Sequence, residues 1–295
     1  MLSLLLTVLA PPTPADQAFA DYLADGDHDA LISTLDGVLD EALAAVDPRT
    51  LVDPKQAKKT LKSKSIDTLI DAAADRRLAE MLPQLPEALT KRCVEELRVI
   101  PSLHRALTPL VKPDEDDLNR AFSLALDIAQ EAPRAFKGRN NLAALIAAMA
   151  VVHDTAYQDR INENIAESGS LRELVPFLLS LPDRRTTMND FLQLPPEALV
   201  HVVDLTIPAS EIAWALTNYG ARRGLPDLYH EVLYDWNHVL DGAPKELTRQ
   251  GFSLRNVMNF GGVCADQAWF TTTVMEVRGI PASVVVGRDA TVGHA

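Results

Sequence analysis

The stretch Gly261-Gly262-Val263-Cys264-Ala265-Asp266-Gln267-Ala268-Trp269-Phe270 places a cysteine directly between a glycine turn and an apolar segment. Apolar positions then continue at helical spacing, which predicts a helix over residues 264–278. Many helices end at a residue in the left-handed conformation, which glycine adopts readily, so Gly279 marks the predicted end of this helix. Pro281 prevents the helix from continuing. Cys264 would therefore begin a helix, where unpaired amides and the positive end of the helix dipole favour a thiolate.

The chain after this helix is predicted to return to the cysteine. Residues 282–286 have the composition of a buried strand, and residues 287–293 that of a turn leading to His294. About fifteen helical residues advance roughly 22 Å, and about seven extended residues cover roughly 23 Å on the way back. The imidazole of His294 can then face the sulfur, take its proton and return it to a leaving amine.

Four ordered blocks of sequence resemble the core of the transglutaminase-like superfamily, which has a papain-like cysteine fold. They are residues 261–270, Arg-Gly-Ile-Pro-Ala at 278–282, the strand ending in Gly287, and Gly-His-Ala at 293–295. The resemblance is strong across residues 251–295. It implies that Cys264 attacks a carboxamide or peptide carbonyl to form a thioester, with His294 as its catalytic partner and no cofactor.

The resemblance also implies two further groups. The family's third catalytic residue, an Asp or Asn on the strand after the histidine, has no counterpart before residue 295. We therefore expect a fragment of a longer protein that is weakly active or inactive as it stands. A second oxyanion donor, beside the Cys264 amide, is expected upstream, with Asn256, Asn259 and Trp236 as candidates. Each has an ordinary alternative: an asparagine bonding its own turn, or a tryptophan filling the core.

The aspartate two residues after the cysteine would oppose a thiolate if it pointed inward. We therefore expect Asp266 to be an outward-facing acid of the first helical turn, or a helix cap.

The predicted fold is mostly α, with a helical N-terminal domain followed by an incomplete α+β transglutaminase-like, papain-like core. We place the helical domain at residues 16–198 and the transglutaminase-like domain at 199–295. Apolar residues at three and four spacing predict antiparallel helices separated by prolines. These predicted helices are Leu31–Ala45, Ile66–Leu82, Glu87–Ile100 and Leu118–Ala132. Residues 142–152 are apolar all round, which predicts a central buried helix, and residues 200–207 have strand composition.

Composition excludes several classes of protein. The formal net charge of −13 repels phosphate backbones, so nucleic acid is not an expected partner. No apolar run reaches the roughly 20 residues that a membrane-spanning helix needs.

Residues 1–15 resemble a signal peptide and predict a periplasmic or secreted protein. A buried N-terminal helix in a cytoplasmic protein is the alternative.

The remaining thiol and imidazole groups predict little chemistry. Cys93 lies in helical register with Leu89 and Leu97, which indicates a buried, inert thiol. The two cysteines of the chain are too few for a disulfide framework. The histidines match no recognised metal-binding spacing, so neither a metal nor a cofactor is expected.

The sequence thus predicts cysteine-dependent acyl transfer or hydrolysis on protein or peptide amides, through a thioester, with hydrolysis favoured over cross-linking. Whether water or an amine attacks the thioester depends on the shape of the part of the site that the attacking molecule enters. Residues 251–295 do not encode that shape. The alternative is a non-catalytic helical scaffold that binds proteins and carries a degenerate transglutaminase-like domain. The sequence gives no indication of oligomeric state.

Overall fold

The structure is a computed structural model that describes residues 11–136, 142–156, 160–161, 164–185, 187, 191–288 and 293–294. It is mostly helical, as predicted. Its contacts divide the chain into two compact units, Met1–Asp114 and Glu115–Ala295. No helix in the described ranges is both long and apolar enough to cross a membrane, as predicted.

The first unit is built from α-helices joined by short turns. The helices are α1 (Pro14–Asp25), α2 (His28–Ala44), α3 (Pro54–Thr60), α4 (Lys64–Met81), α5 (Glu87–Arg92) and α6 (Pro101–Leu107). Short 3-10 turns cover Pro48–Leu51 and Leu82–Gln84, and a π-helical turn covers Cys93–Leu97. The predicted helices at 31–45 and 66–82 are therefore confirmed as α2 and α4, within about three residues at each end.

The core of the first unit lies where α2 packs against α4 and α1. Phe19, Leu35 and Leu78 are fully buried there. Cys93 is also fully buried, and this burial raises the pKa of its thiol to about 12. The prediction of a buried thiol at Cys93 is confirmed, and a thiol with so high a pKa is a poor nucleophile at neutral pH.

The first helix begins within the predicted signal peptide. The Thr13 hydroxyl accepts a hydrogen bond from the Asp16 amide, while the Asp16 carboxylate accepts from the Thr13 amide, a reciprocal arrangement that stabilises a helix start. Ala15, after which cleavage is predicted, is buried in the first turn of α1. Residues 1–10 lie outside the described part of the chain, so export stays a prediction.

The second unit contains the remaining helices and two short strand pairs. Its helices are α7 (Leu118–Glu131), α8 (Ala143–Val152), α9 (Leu171–Leu179), α10 (Pro196–Val203), α11 (Ala209–Tyr219), α12 (Leu228–Glu231), α13 (Trp236–Asp241), α14 (Glu246–Gln250), α15 (Leu254–Phe260) and α16 (Cys264–Val277). Short 3-10 turns cover Pro133–Phe136, Leu181–Asp183, Phe191–Gln193 and Leu225–Asp227. Strand β1 (Arg160–Ile161) pairs antiparallel with β2 (Asn164–Ile165), and β3 (Gly287–Arg288) with β4 (Gly293–His294).

Helix α8 is buried on all sides over most of its length, as its uniformly apolar sequence predicts. It packs chiefly against α10 and also against α7. The strand predicted at residues 200–207 is wrong, because residues 196–203 form α10. Pro196 starts this helix, and packing of Val202 and Val203 into the core outweighs the modest preference of valine for strands.

The helix that begins at the candidate nucleophile is confirmed. α16 runs from Cys264 to Val277, and Gly279 follows with a φ of 69°. The buried strand predicted at 282–286 is wrong: these residues form no regular strand, and Val285 is 78% exposed. A strand needs a partner for its backbone groups, and the hydrogen bond from the Ala282 amide goes instead to the His201 carbonyl of α10.

A buried imidazole at the end of α8 predicts acid sensitivity. His153 is 7% exposed, and its Nε2 donates to the Val203 carbonyl oxygen at 2.9 Å. Burial lowers the pKa of His153 below its usual value near 6.5. As pH falls, the unfolded chain therefore binds a proton before the native protein does, so this contribution to stability is complete above about pH 6.5 and is lost below it.

We therefore expect the melting temperature to fall by a few degrees between about pH 6.5 and pH 5. A His153→Gln variant keeps an N–H donor that does not titrate, so its melting temperature should fall less over the same interval. Calorimetry of both proteins at matched pH measures this difference. Parallel curves for the two proteins would contradict the assignment to His153, because the carboxylates titrate equally in both.

Candidate active site

The turn before Cys264 depends on two glycines. Gly261 has a φ of 76°, and a Cβ there would lie 2.3 Å from the Leu233 carbonyl oxygen. A Cβ on Gly262 would lie 2.5 Å from the Asp266 Cβ. Both positions therefore require a residue without a side chain. The Gly262 amide donates to the Leu233 carbonyl at 2.9 Å, and the Asp235 amide donates to the Gly262 carbonyl at 3.0 Å.

This backbone pairing brings an aromatic segment beside the cysteine. Tyr234 pairs with Gly262 as an isolated parallel bridge. Cys264 is the first residue of α16 and is partly exposed. The Tyr234 phenol lies close enough to Cys264 for the two side chains to interact electrostatically. Burial, and then the charge of the nearby Cys264 thiolate, raise the pKa of the Tyr229 and Tyr234 phenols above their usual value. Two neutral phenols therefore lie near the sulfur.

A buried ion pair holds the first turn of α16. The Asp266 Oδ2 accepts from the Val263 amide at 2.8 Å and from the Lys245 Nζ at 3.1 Å. The two side chains are 0% and 1% exposed, respectively. The prediction that Asp266 caps the helix is confirmed. The alternative that it faces outward is wrong, because Lys245 supplies a buried counter-charge that a sequence pattern does not reveal.

The rest of α16 is fixed by packing over most of its surface. It contacts α10, α11, α12 and α15. Phe270 is fully buried, with its ring centroid 5.7 Å from that of Tyr219 and 6.4 Å from that of Trp214. The Gln267 side-chain amide donates to the Val232 carbonyl at 2.8 Å, which links the helix to the segment that carries Tyr234. A rigid helix therefore supports the cysteine.

The three predicted upstream oxyanion donors do not share one location. Asn256 donates its side-chain N–H groups to the Gln250 and Gly251 carbonyls at 3.0 and 2.9 Å, so it bonds its own turn. Asn259 is exposed, and Trp236 is 60% exposed with its ring 4.6 Å from that of Tyr234. Of these three candidates, Trp236 therefore lies beside Tyr234, whose backbone pairs with Gly262 just before Cys264.

The predicted base lies in the terminal strand pair. The backbone of His294 in β4 pairs antiparallel with that of Gly287 in β3, and the turn predicted between them falls mostly on residues outside the described part of the chain. The side chain of His294 is outside the described part of the structure. The pairing of its imidazole with the Cys264 sulfur therefore stays a prediction.

Sequence reasoning missed three residues of this site, which are Tyr229, Tyr234 and Lys245. Tyr229 and Tyr234 lie in a visibly aromatic stretch between residues 229 and 236. That density was a usable signal, but only the backbone pairing with Gly262 decides which ring reaches the cysteine. Lys245 gives no signal in the sequence, because it is separated from its partner Asp266 by 21 positions in the chain.

No protein-family model matches this chain, and neither the curated proteins nor the solved structures include a match to it. The likeness to the transglutaminase-like superfamily therefore depends on the sequence blocks alone, and the strand expected in the third of them, at residues 282–286, is not formed.

Proposed function

We propose that Cys264 is the nucleophile of a thiol-dependent acyl-transfer site that acts on peptide or protein amides, with hydrolysis favoured over cross-linking. The observation that carries the proposal is the partly exposed sulfur at the first residue of a buried helix, beside the two phenols of Tyr229 and Tyr234. A helix N-terminus and nearby hydrogen-bond donors are the surroundings that thiol nucleophiles use.

In the proposed reaction the sulfur of Cys264 attacks the carbonyl carbon of the amide. A C–S bond forms, and the carbonyl electrons move to oxygen to give an oxyanion. Collapse of this intermediate breaks the C–N bond, and the proton that the His294 imidazole took from the thiol goes to the leaving amine. Water then attacks the thioester: a C–O bond forms, the C–S bond breaks to release a carboxylic acid, and a proton from the water returns to the sulfur through the imidazole. An amine in place of water would produce a cross-link.

Tyr234 is the oxyanion donor that the geometry supports. The backbone of Tyr234 pairs with Gly262, two residues before Cys264, and its phenol lies near the sulfur. The hydroxyl of Tyr234 can therefore donate to an oxyanion formed beside the sulfur. The raised pKa of Tyr234 keeps the phenol protonated, and therefore a donor, at neutral pH.

Selective alkylation tests the proposal. We expect iodoacetamide at neutral pH to label Cys264 on the order of tenfold faster than a free thiol such as glutathione. Cys93 is the control within the same molecule, because it is fully buried and its pKa is about 12. It should stay unlabelled until the protein unfolds. Peptide mapping by mass spectrometry at several time points measures both rates separately.

The scaffold alternative makes the opposite prediction. A degenerate domain needs only the packing of α16, so the Cys264 thiol would react at or below the rate of glutathione. That result would contradict the proposed nucleophile.

A further inference from the structure

The ion pair between Lys245 and Asp266 is the most deeply buried of those in the described part of the chain. Its side chains are 1% and 0% exposed, whereas those of Arg98 and Asp75, the next most buried pair of a carboxylate with a lysine or arginine, are 13% and 11% exposed. Burying two charges costs hydration free energy, which their mutual attraction only partly returns. A contribution to stability therefore does not by itself account for a charged pair in this buried position.

The position of the pair connects it to the nucleophile. Asp266 Oδ2 accepts from the amide of Val263, the residue immediately before Cys264. Asp266 Oδ1 is buried and has no hydrogen-bond partner in the described structure. The carboxylate charge is thus offset chiefly through Oδ2, by Lys245. Without that ammonium group, a buried negative charge two residues from the sulfur would oppose the thiolate.

We propose that Lys245 is a positioning residue for the Cys264 site, because it neutralises Asp266 and so lets this carboxylate fix the start of α16 without opposing the thiolate. The inference rests on the proposed function of Cys264. The carboxylate determines the geometry of the turn and the lysine determines its electrostatics. Neither residue needs to touch the substrate.

Other charged and titratable groups also surround α16. Those near its N-terminus are Tyr229 and Tyr234, which interact electrostatically with Cys264. The elements that pack against α16 carry further charged or titratable groups, which are Glu197, His201, Glu211, Asp227, His230, Arg255 and the Arg222–Glu231 ion pair. Helix α16 itself contains Glu276, and Arg278 follows its end. These groups are the same in every variant described below, so differences between variants report on Lys245 and Asp266.

The pH dependence of Cys264 alkylation by iodoacetamide tests the inference in the full chain. Lys245→Met leaves the carboxylate without its counter-charge, so the midpoint of the profile should rise by about one pH unit, which is about a tenfold lower rate below the midpoint. Asp266→Asn keeps an acceptor for the Val263 amide but leaves the ammonium, so the midpoint should fall. The double variant Lys245→Met/Asp266→Asn should return to the wild-type midpoint.

Lys91→Met is the matched control, because Lys91 forms an exposed pair with Glu95 and should leave the profile unchanged. Shifts of the same sign in both single variants, or none in folded protein, would overturn the inference. So would a double variant that keeps the Lys245→Met midpoint. If the Lys245→Met variant does not unfold cooperatively, the other two variants test the inference. The midpoint should fall in Asp266→Asn and return to the wild-type value in the double variant.

The inference and the proposed function can fail separately. The proposed function depends on how fast wild-type Cys264 reacts relative to a free thiol. The positioning role depends on differences in midpoint between variants, which can be measured for a slow thiol as well as for a fast one.

Discussion

An Asp266→Ala variant is expected to lose about 3–5 kcal/mol of unfolding free energy, since removing one partner of a buried ion pair leaves an uncompensated charge. Asp266 is fully buried and pairs with the equally buried Lys245. The same change removes the acceptor of the Val263 amide at the start of α16. Urea unfolding followed by tryptophan fluorescence measures the loss, because Trp269 lies in this helix.

A second helix start in the same unit provides the control. Asp117 caps α7 by accepting from the Arg120 amide at 3.1 Å, and it has no buried lysine partner in the described structure. Asp117→Ala should therefore cost only about 1 kcal/mol. Lys245→Met/Asp266→Ala removes both charges and should lose less stability than Asp266→Ala alone. An Asp266→Ala loss no larger than that of Asp117→Ala would show that the buried pair contributes nothing.

A Tyr234→Phe variant is expected to acylate Cys264 about 10²- to 10³-fold more slowly, the range found when one oxyanion donor is removed. p-Nitrophenyl acetate is a suitable acyl donor because its attack by the sulfur forms an oxyanion without requiring a specific substrate. The burst of nitrophenolate and the mass of the acetylated protein report the rate. The benzene ring remains, so packing against Trp236 is retained.

Alkylation separates this role from a general effect on the thiol. Iodoacetamide reacts by displacement at a saturated carbon and forms no oxyanion, so Tyr234→Phe should change the alkylation rate by no more than about twofold. Tyr229→Phe removes the neighbouring phenol, which is not on the segment that pairs with Gly262, and should slow acylation less. Equal losses in alkylation and acylation for Tyr234→Phe would assign Tyr234 to the thiol rather than to the oxyanion.

The candidate site was only partly predictable from the sequence. The start of α16 at Cys264 and the glycine after its end follow from neighbouring residues, and the structure has both. The capping role of Asp266 was also predictable, because a carboxylate in the first helical turn bonds nearby amides. Its burial was not predictable, because a buried carboxylate needs a counter-charge. That charge comes from Lys245, which lies immediately before α14 and 21 positions before Asp266 in the chain.

The two wrong strand predictions, at residues 200–207 and 282–286, also arose because the sequence does not show contacts between distant parts of the chain. Residues 200–203 and 282–286 are both rich in valine, and valine favours strands only where a neighbouring strand is available. The first segment packs against α8 as the helix α10, and the second is exposed without a paired strand in the described structure. Composition alone does not distinguish these environments, because it contains no information about the packing partner.

By itself, the sequence determined the mostly helical fold, the burial of α8 and Cys93, and the boundaries of α16. Each of these features depends on apolar spacing, glycine or proline within a few positions, and such local preferences act before any distant contact forms. The tertiary structure alone decided that Tyr234 lies beside Cys264 and that Lys245 pairs with Asp266. Each pair joins residues 21 or more positions apart, and only packing of the whole unit brings them together.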